Sequence, residues 1–167
     1  MQNIIKNATS LAIVIPYYKI EYFAELLISL LKQTNQNFNI YIGDDASLNA
    51  PIKLIDQYKD KLNIHYKRFE NNLGGKDLVS QWHRCLEMVQ DEAWIWMLPD
   101  DDVPSENVVE EFYKALEFQK QYNIKVFRLP LNFINEVGVV LSRAKPTEVL
   151  SGKVGTNFWN SRQNFRQ

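Results

Sequence analysis

The feature that most constrains the fold of this chain is a repeated alternation between short apolar runs and segments with helical spacing. Residues 11–16 and 93–98 are almost continuously apolar, as in strands buried on both faces of a sheet. Between such runs the apolar residues recur at a period typical of amphipathic helices. The predicted strands are 11–16, 38–43, 63–69, 93–98 and 125–131, and the predicted helices are 20–33, 51–59, 78–89 and a fourth that starts at Pro104. This order predicts an α/β protein with α/β/α layers and a doubly wound, mostly parallel sheet.

The bulk composition excludes several classes of function. The 167 residues carry 19 basic and 20 acidic side chains, so no net basic field attracts nucleic acid. The single cysteine, Cys85, cannot form an internal disulfide and lies in a helical apolar pattern, where we expect a small core residue. No run approaches the roughly 18 apolar residues of a membrane span. We therefore expect a protein without a transmembrane segment that is cytoplasmic, with peripheral attachment to the inner membrane face as an alternative.

Three polar clusters directly follow predicted strands. They are residues 17–19, Asp44 with Asp45, and residues 100–102, which are three consecutive aspartates. Ligands of open α/β sheets bind beyond the carboxyl ends of the strands, and parallel strands end at one edge. We therefore expect the three clusters to share one site.

The three aspartates at 100–102 repel one another unless a cation lies between them. A hard divalent ion with oxygen ligands, Mg²⁺ or Mn²⁺, suits one or two carboxylates that also face substrate phosphates. The alternative is a solvated turn whose charges favour the start of the following helix. The position after a central strand favours the metal site.

The other clusters leave two interpretations open. Asp45 either belongs to an Asx-type turn or accepts a hydrogen bond from a nucleobase. Tyr18 either packs at a strand end or stacks on a base or ribose, and Lys76 either contacts a diphosphate or is solvated. The loop before Lys76 is not a Walker sequence, and no G-x-G-x-x-G follows the first strand, which disfavours a dinucleotide dehydrogenase.

Taken together, the motifs resemble those of the family 2 glycosyltransferases, inverting enzymes with the Rossmann-like GT-A fold. The resemblance extends from about Leu11 to Leu131. Its five motifs occur in the family's order, at residues 13–18, 29–34, 44–47 and 72–74 and in the apolar strand that leads into the Asp cluster.

The resemblance implies a role for each motif. Pro16 and Tyr18 would line the nucleotide pocket, and Asp45 would read the base. Asp101 is similar to the family's metal-binding acid, with Asp100 and Asp102 beside it. We accordingly expect nucleotide-sugar binding by Pro16, Tyr18, Asp45, Lys76, Asp100 and Asp101, and metal binding by Asp101 and Asp102.

The implied reaction is the metal-dependent transfer of a sugar, with inversion, from a nucleotide diphosphate sugar to a hydroxyl of an acceptor. A UDP-sugar is the first donor to expect, and the acceptor would be a glycan or a lipid-linked sugar. The chain departs from the family where Pro99 replaces a common Asp and Lys19 a common Asn. No counterpart of the family's catalytic base is found before Gln167, so the catalytic residue is unknown.

The domain organisation follows from the same comparison. We expect a nucleotide-sugar-binding domain at 1–144, and at 145–167 an irregular tail that begins a truncated acceptor-binding region. Two rival functions remain. One is a non-catalytic nucleotide-sugar-binding module, and the other is a nucleotidyltransferase, which usually carries a basic glycine-rich loop after its first strand.

Overall fold

The computed structural model describes residues 11–122 and 125–143, and the side chains of 117–122 are left aside. The chain divides into two compact units after Ile124. Each unit is described by itself. The tail expected at 145–167 lies outside the described residues, and the domain boundary after 144 stays a prediction.

The first unit alternates strands and helices from its start. Its elements are β1 (Leu11–Tyr17), α1 (Phe23–Leu31), β2 (Asn39–Asp44), α2 (Ile52–Ile55), β3 (Ile64–Arg68), α3 (Leu78–Leu86), β4 (Trp94–Met97) and α4 (Val108–Tyr122). The four strands form one sheet in the order β3-β2-β1-β4, and every neighbouring pair is parallel. The predicted doubly wound α/β fold is confirmed. The order reverses beside β1, where sheets of this type form a ligand crevice.

The central strand β1 is apolar throughout because helices cover both of its faces. Ile13 and Ile15 belong to a core that includes Phe23 of α1 and Val109 of α4. On the opposite face, a second core joins the alternate residues of β1 to α3. A strand with two covered faces leaves little room for polar side chains, so the polar residues next to β1 lie beyond its end.

Helix α3 approaches the sheet closely at β2. A Cβ at Gly43 would lie 2.4 Å from the sulfur of Cys85 and 3.0 Å from the ring of Phe69. Cys85 is fully buried, so its predicted role as a small core residue is confirmed. Glycine at 43 therefore sets the distance between α3 and the sheet.

The described part of the second unit, residues 125–143, contains a β-hairpin. Strands β5 (Asn132–Ile134) and β6 (Val140–Arg143) pair antiparallel, and Gly138 takes a φ of 81° in the turn. The Asn135 side chain accepts hydrogen bonds from the backbone N–H groups of Val137 and Val139. The sequence Asn135-Glu136-Val137-Gly138, whose Asn and Gly are typical turn residues, forms the turn of this hairpin.

The predicted strand at 125–131 is wrong, and two predicted helices have different bounds. The fourth helix begins at Val108 and not at the predicted Pro104. Residues 125–131 form no strand, since the first strand of this unit begins at Asn132. Pro130 has no N–H to donate to a sheet ladder and interrupts the apolar run on which the prediction rested. Helix α2 ends at Ile55, short of the predicted 59, and continues as turns. None of the helices in the described part of the chain is long and apolar enough to cross a membrane.

Replacing Gly43 with alanine is expected to lower the free energy of unfolding by about 1–3 kcal/mol, because the added methyl group overpacks the contact with Cys85. Urea unfolding followed by circular dichroism measures the change. The same substitution in a Cys85→Ala background should be less destabilising, because the sulfur is gone. Equal losses in both backgrounds would show that the Gly43–Cys85 contact does not limit the packing of α3.

Candidate functional site

The candidate site lies at the carboxyl edge of the sheet, around the end of β1. Tyr17, the last residue of β1, is in register with Asp44 of β2, and its carbonyl accepts a hydrogen bond from the N–H of Asp45 at 3.0 Å. On the other side of β1, the N–H of Leu98 donates to the carbonyl of Val14 at 2.9 Å. The acids that follow β2 and β4 therefore flank β1 at one edge, as the alternation predicted.

Asp100 joins the aspartate cluster to the end of β1. One oxygen of its carboxylate accepts hydrogen bonds from the backbone N–H groups of Tyr18 and Lys19, each at 2.8 Å. Burial raises the pKa of Asp100, and the nearby charge of Asp101 raises it further, although the two backbone donors work in the opposite direction. Asp100 thus fixes the backbone of the first motif and is unfavourable in its charged form.

Asp101 and Asp102 occupy the turn beyond Asp100. Asp101 is exposed and Asp102 is partly buried, and the N–H of Asp102 donates to the carbonyl of Pro99 at 3.3 Å. Among the described residues, no group of three or more His, Cys, Asp or Glu side chains is placed to hold a metal ion. The oxygen donors of Asp101 and Asp102 fit a hard divalent cation that takes its remaining ligands from phosphates and water.

Asp45 is almost fully buried, with 3% of its surface exposed, and its carboxylate is saturated with donors. One oxygen accepts from the N–H of Leu73 at 2.7 Å and from the guanidinium of Arg84. The other accepts from the N–H of Gly74 at 2.7 Å and from the side-chain amide of Asn72 at 3.0 Å. Asp45 therefore holds the loop before α3 against the sheet edge.

The same contact explains the glycine at position 74. A Cβ there would lie 2.7 Å from the carboxylate oxygen of Asp45 that accepts the Gly74 N–H. A larger residue would push the loop away from the carboxylate. The Asn72-Leu73-Gly74 motif is thus a binding loop for Asp45.

Sequence reasoning missed Arg84, which belongs to this site. Its guanidinium also donates to the side chain of Gln81 at 2.6 Å and to the carbonyl of Asn71 at 2.8 Å, and it stacks 3.9 Å above the ring of Phe69. An arginine in the predicted helix 78–89 carries no signal of its own. Only the packing of α3 on the sheet brings it to Asp45.

Asp44 has a different set of partners. It is fully buried and accepts from the hydroxyl of Tyr66 at 2.6 Å, from Arg68 at 2.7 Å and from the N–H of Ser47 at 2.8 Å. Burial acts to raise the pKa of Asp44, but the hydrogen bonds from Tyr66 and Ser47 and the charge of Arg68 outweigh it and lower the pKa. Asp44 therefore closes the Asx-type turn that was one interpretation of residues 44–47, a turn in which Ala46 takes a left-handed φ of 51°.

The remaining predicted residues lie at or near the same edge. Pro16 is partly buried beside Gly43, and Tyr18 is 46% exposed next to Asp100. Lys76 is exposed in the loop that Asp45 holds, and its N–H donates to the carbonyl of Leu73 at 2.9 Å. The ligand-binding roles assigned to these side chains stay predictions.

An open cavity of about 540 Å³ lies beside the site, against the α3 face of the sheet. Its walls are Tyr41, His65, Tyr66, Lys67, Phe69, Arg84, Glu87, Met88 and Gln90. None of the aspartates lines it. Arg84, which also contacts Asp45, borders both the cavity and the site.

Asp100→Asn is expected to leave the free energy of unfolding at pH 7 unchanged or to raise it. An amide oxygen still accepts from Tyr18 and Lys19, and the repulsion from Asp101 disappears. Because the pKa of Asp100 is higher in the folded state, the wild type loses stability as the pH rises through the unfolded and then the folded pKa. The variant should lack this loss, and chemical unfolding at pH 3 to 7 measures it. If Asp100→Asn is clearly less stable than the wild type at pH 7, the charged form of Asp100 is not unfavourable in the folded protein and this interpretation is wrong.

The sequence of this chain is similar to parts of longer glycosyltransferases. It is 27% identical over 139 residues to the poly(ribitol-phosphate) beta-N-acetylglucosaminyltransferase TarS of Staphylococcus aureus, an alignment that covers 81% of this chain and 23% of TarS. It is also 27% identical over 108 residues to the glycosyltransferase GlyG of Streptococcus pneumoniae, covering 64% of this chain and 35% of GlyG. The chain thus spans about a quarter to a third of the length of these relatives.

Solved structures agree on the fold. The crystal structure of S. aureus TarS 1-349 in complex with UDP superposes with a TM-score of 0.58 at 20% identity, covering 74% of this chain and 38% of that one. The complex with UDP-GlcNAc gives a TM-score of 0.58 at 21% identity, covering 74% and 37%. The first unit therefore shares the fold of these TarS structures.

The family itself is shown by the sequence profile described as "Glycosyl transferase family 2", which matches residues 12–163 and so includes every motif described above. The chain belongs to glycosyl transferase family 2.

Proposed function

We propose that this chain carries the donor-binding part of a glycosyltransferase. The reaction is the transfer of a sugar from a nucleotide diphosphate sugar to an acceptor hydroxyl, with inversion and with a divalent metal. The observation that carries the proposal is the convergence of Tyr18, Asp45 and residues 100–102 at one carboxyl edge, beside the strand where the sheet order reverses. This is the place where open α/β sheets bind nucleotides.

A UDP-sugar is the proposed donor. The support is the fold shared with the TarS structures that contain UDP and UDP-GlcNAc. A glycan or a lipid-linked sugar is the proposed acceptor. A cytoplasmic location accords with the buried free thiol of Cys85 and stays a prediction.

Base recognition by Asp45 requires an exchange of hydrogen bonds. A carboxylate offers about four acceptor positions, and the described donors to Asp45 already number four. A nucleobase N–H must therefore take the place of one of them. Asn72 and Arg84 bind through side chains, which move more readily than the backbone N–H groups of Leu73 and Gly74. We propose that one of these two side chains shifts to contact the bound nucleotide.

The acidic turn would hold the metal. Asp101 and Asp102 are its proposed ligands, and Asp100 keeps the backbone of Tyr18 and Lys19 in place beside them. When bound, the cation would neutralise the two phosphates and the charge that develops on the leaving group. Tyr18 is exposed on the same edge and is the proposed contact to the base or ribose.

The released product distinguishes the proposed glycosyltransferase from the two rival functions. A glycosyltransferase releases a nucleoside diphosphate from a nucleotide sugar when an acceptor is present, and a nucleotidyltransferase releases pyrophosphate from a nucleoside triphosphate. A non-catalytic binding module releases neither. We assign no catalytic base, because the positions of the described side chains do not single one out.

Asp45→Ala is expected to weaken UDP binding by about 1.5–3 kcal/mol, the scale of a hydrogen bond to a charged group. Isothermal titration calorimetry measures the dissociation constant, and circular dichroism checks that the sheet persists. Asp56→Ala, which removes an exposed carboxylate paired with Lys59, is the matched control and should bind like the wild type. Wild-type affinity in the Asp45 variant would remove Asp45 from the site.

Asp101→Asn is expected to weaken metal-dependent binding of UDP while leaving the protein folded. The variant keeps the side-chain shape and removes one charge from a turn where a diphosphate would otherwise be repelled. Calorimetric titration of UDP in Mn²⁺ and in EDTA, on wild type and variant, measures the metal effect. Asp91→Asn is the control, an exposed aspartate at the opposite end of β4. If the wild type binds UDP equally well in Mn²⁺ and in EDTA, or if Asp101→Asn keeps the full metal effect, the acidic turn is a charged surface and not a metal site.

A further inference from the structure

The edge strand β3 supports the turn that carries Asp45. Arg68, its last residue, donates from one guanidinium nitrogen to the carboxylate of Asp44 at 2.7 Å and from the other to the carbonyl of Ser47 at 2.8 Å. Tyr66, two residues earlier on the same strand, donates its hydroxyl to the same oxygen of Asp44 at 2.6 Å. Arg68 thus bridges the first and last residues of the turn 44–47.

The backbone of this turn needs such support. Ala46 takes a φ of 51°, and the left-handed region is unfavourable for a residue with a Cβ by roughly 1–2 kcal/mol. Strained backbone of this kind persists where its surroundings hold it in place. The groups that close the turn are the N–H of Ser47 on Asp44 and the guanidinium of Arg68 on both ends.

The conformation of this turn decides the direction of the Asp45 carboxylate. Asp44 faces the donors of β3, and Asp45, the next residue, faces Leu73, Gly74 and Arg84. A change in the backbone angles of Asp45 would swing its carboxylate away from the loop that it holds, and a closed turn resists such a change. The orientation of Asp45 therefore depends on the contacts of Asp44 and Ser47, which close the turn on either side of it.

We propose that Arg68 is a positioning residue for nucleotide binding, which acts through Asp44 and Ser47 to hold Asp45 in its binding orientation. This inference rests on the proposed function. Arg68 does not contact Asp45, and the planar fork of its guanidinium is what spans the turn. A lysine in its place offers one nitrogen instead of two in a fixed plane, so it cannot reproduce this two-point geometry.

The test compares Arg68→Gln, Arg68→Lys and Tyr66→Phe with the wild type. Arg68→Gln should raise the dissociation constant for UDP about tenfold, and Arg68→Lys should lie between it and the wild type. Tyr66→Phe should have a smaller effect, because Arg68 still bridges the turn. Lys61→Gln, which removes an exposed charge from the segment just before β3, is the matched control and should bind like the wild type.

The kinetic result should separate positioning from a general loss of structure. Where the protein turns over a UDP-sugar, Arg68→Gln should raise the KM for the donor about tenfold with kcat within twofold of the wild type. That pattern indicates a loss of binding that is equal in the ground and transition states. A fall in kcat at unchanged KM would overturn the proposal.

Amide hydrogen exchange gives a readout that does not depend on nucleotide. If Arg68 holds Asp45, the N–H groups of Leu73 and Gly74 should exchange at least tenfold faster in Arg68→Gln, while those in the centre of β1 stay protected. Unchanged exchange at Leu73 and Gly74 overturns this inference even if UDP binds the wild type. If the wild type binds no nucleoside diphosphate, the proposed function is wrong. The proposed role of Arg68 in nucleotide binding is then wrong as well.

Discussion

The parallel pairing of β1 with β2 and β4 is the constraint on which the rest of the first unit depends. Because all three strands run in one direction, their carboxyl ends meet at one edge and bring Tyr18, Asp45 and Asp100 together. The same direction requires a crossover between successive strands, and the crossover helices cover both faces of β1. With both faces of β1 covered, the open position beside this strand is at its carboxyl end.

The carboxylates at this edge are stabilised in different ways. Asp44 and Asp45 are both buried, and each accepts from an arginine as well as from backbone and side-chain donors. A buried charge without such partners would be strongly unfavourable. Asp100 has backbone donors, but burial and then the like charge of Asp101 raise its pKa. The edge therefore combines two acids whose charges are balanced within the protein with an acidic turn at which we propose a cation binds.

The alternation of strands and helices was predictable because its periodicity is local. The order of β1 to β4, the hairpin turn at 135–138 and the burial of Cys85 all follow from patterns within short windows of sequence. The strand predicted at 125–131 was wrong for a local reason too, since an apolar run does not form a ladder by itself and Pro130 cannot donate to one. Apolar character indicates burial more reliably than it indicates hydrogen bonding.

The sequence by itself determined the fold class and the placement of the acids after buried strands, because both depend on the spacing of apolar residues along the chain. Only the tertiary structure decided which donors those acids receive. Arg84 reaches Asp45 across 39 positions of the chain, and Arg68 reaches Asp44 across 24. Neither arginine stands out in its own helix or strand. Their roles arise because α3 packs closely over Gly43 and β3 pairs in register with β2, and these are long-range contacts that no local pattern encodes.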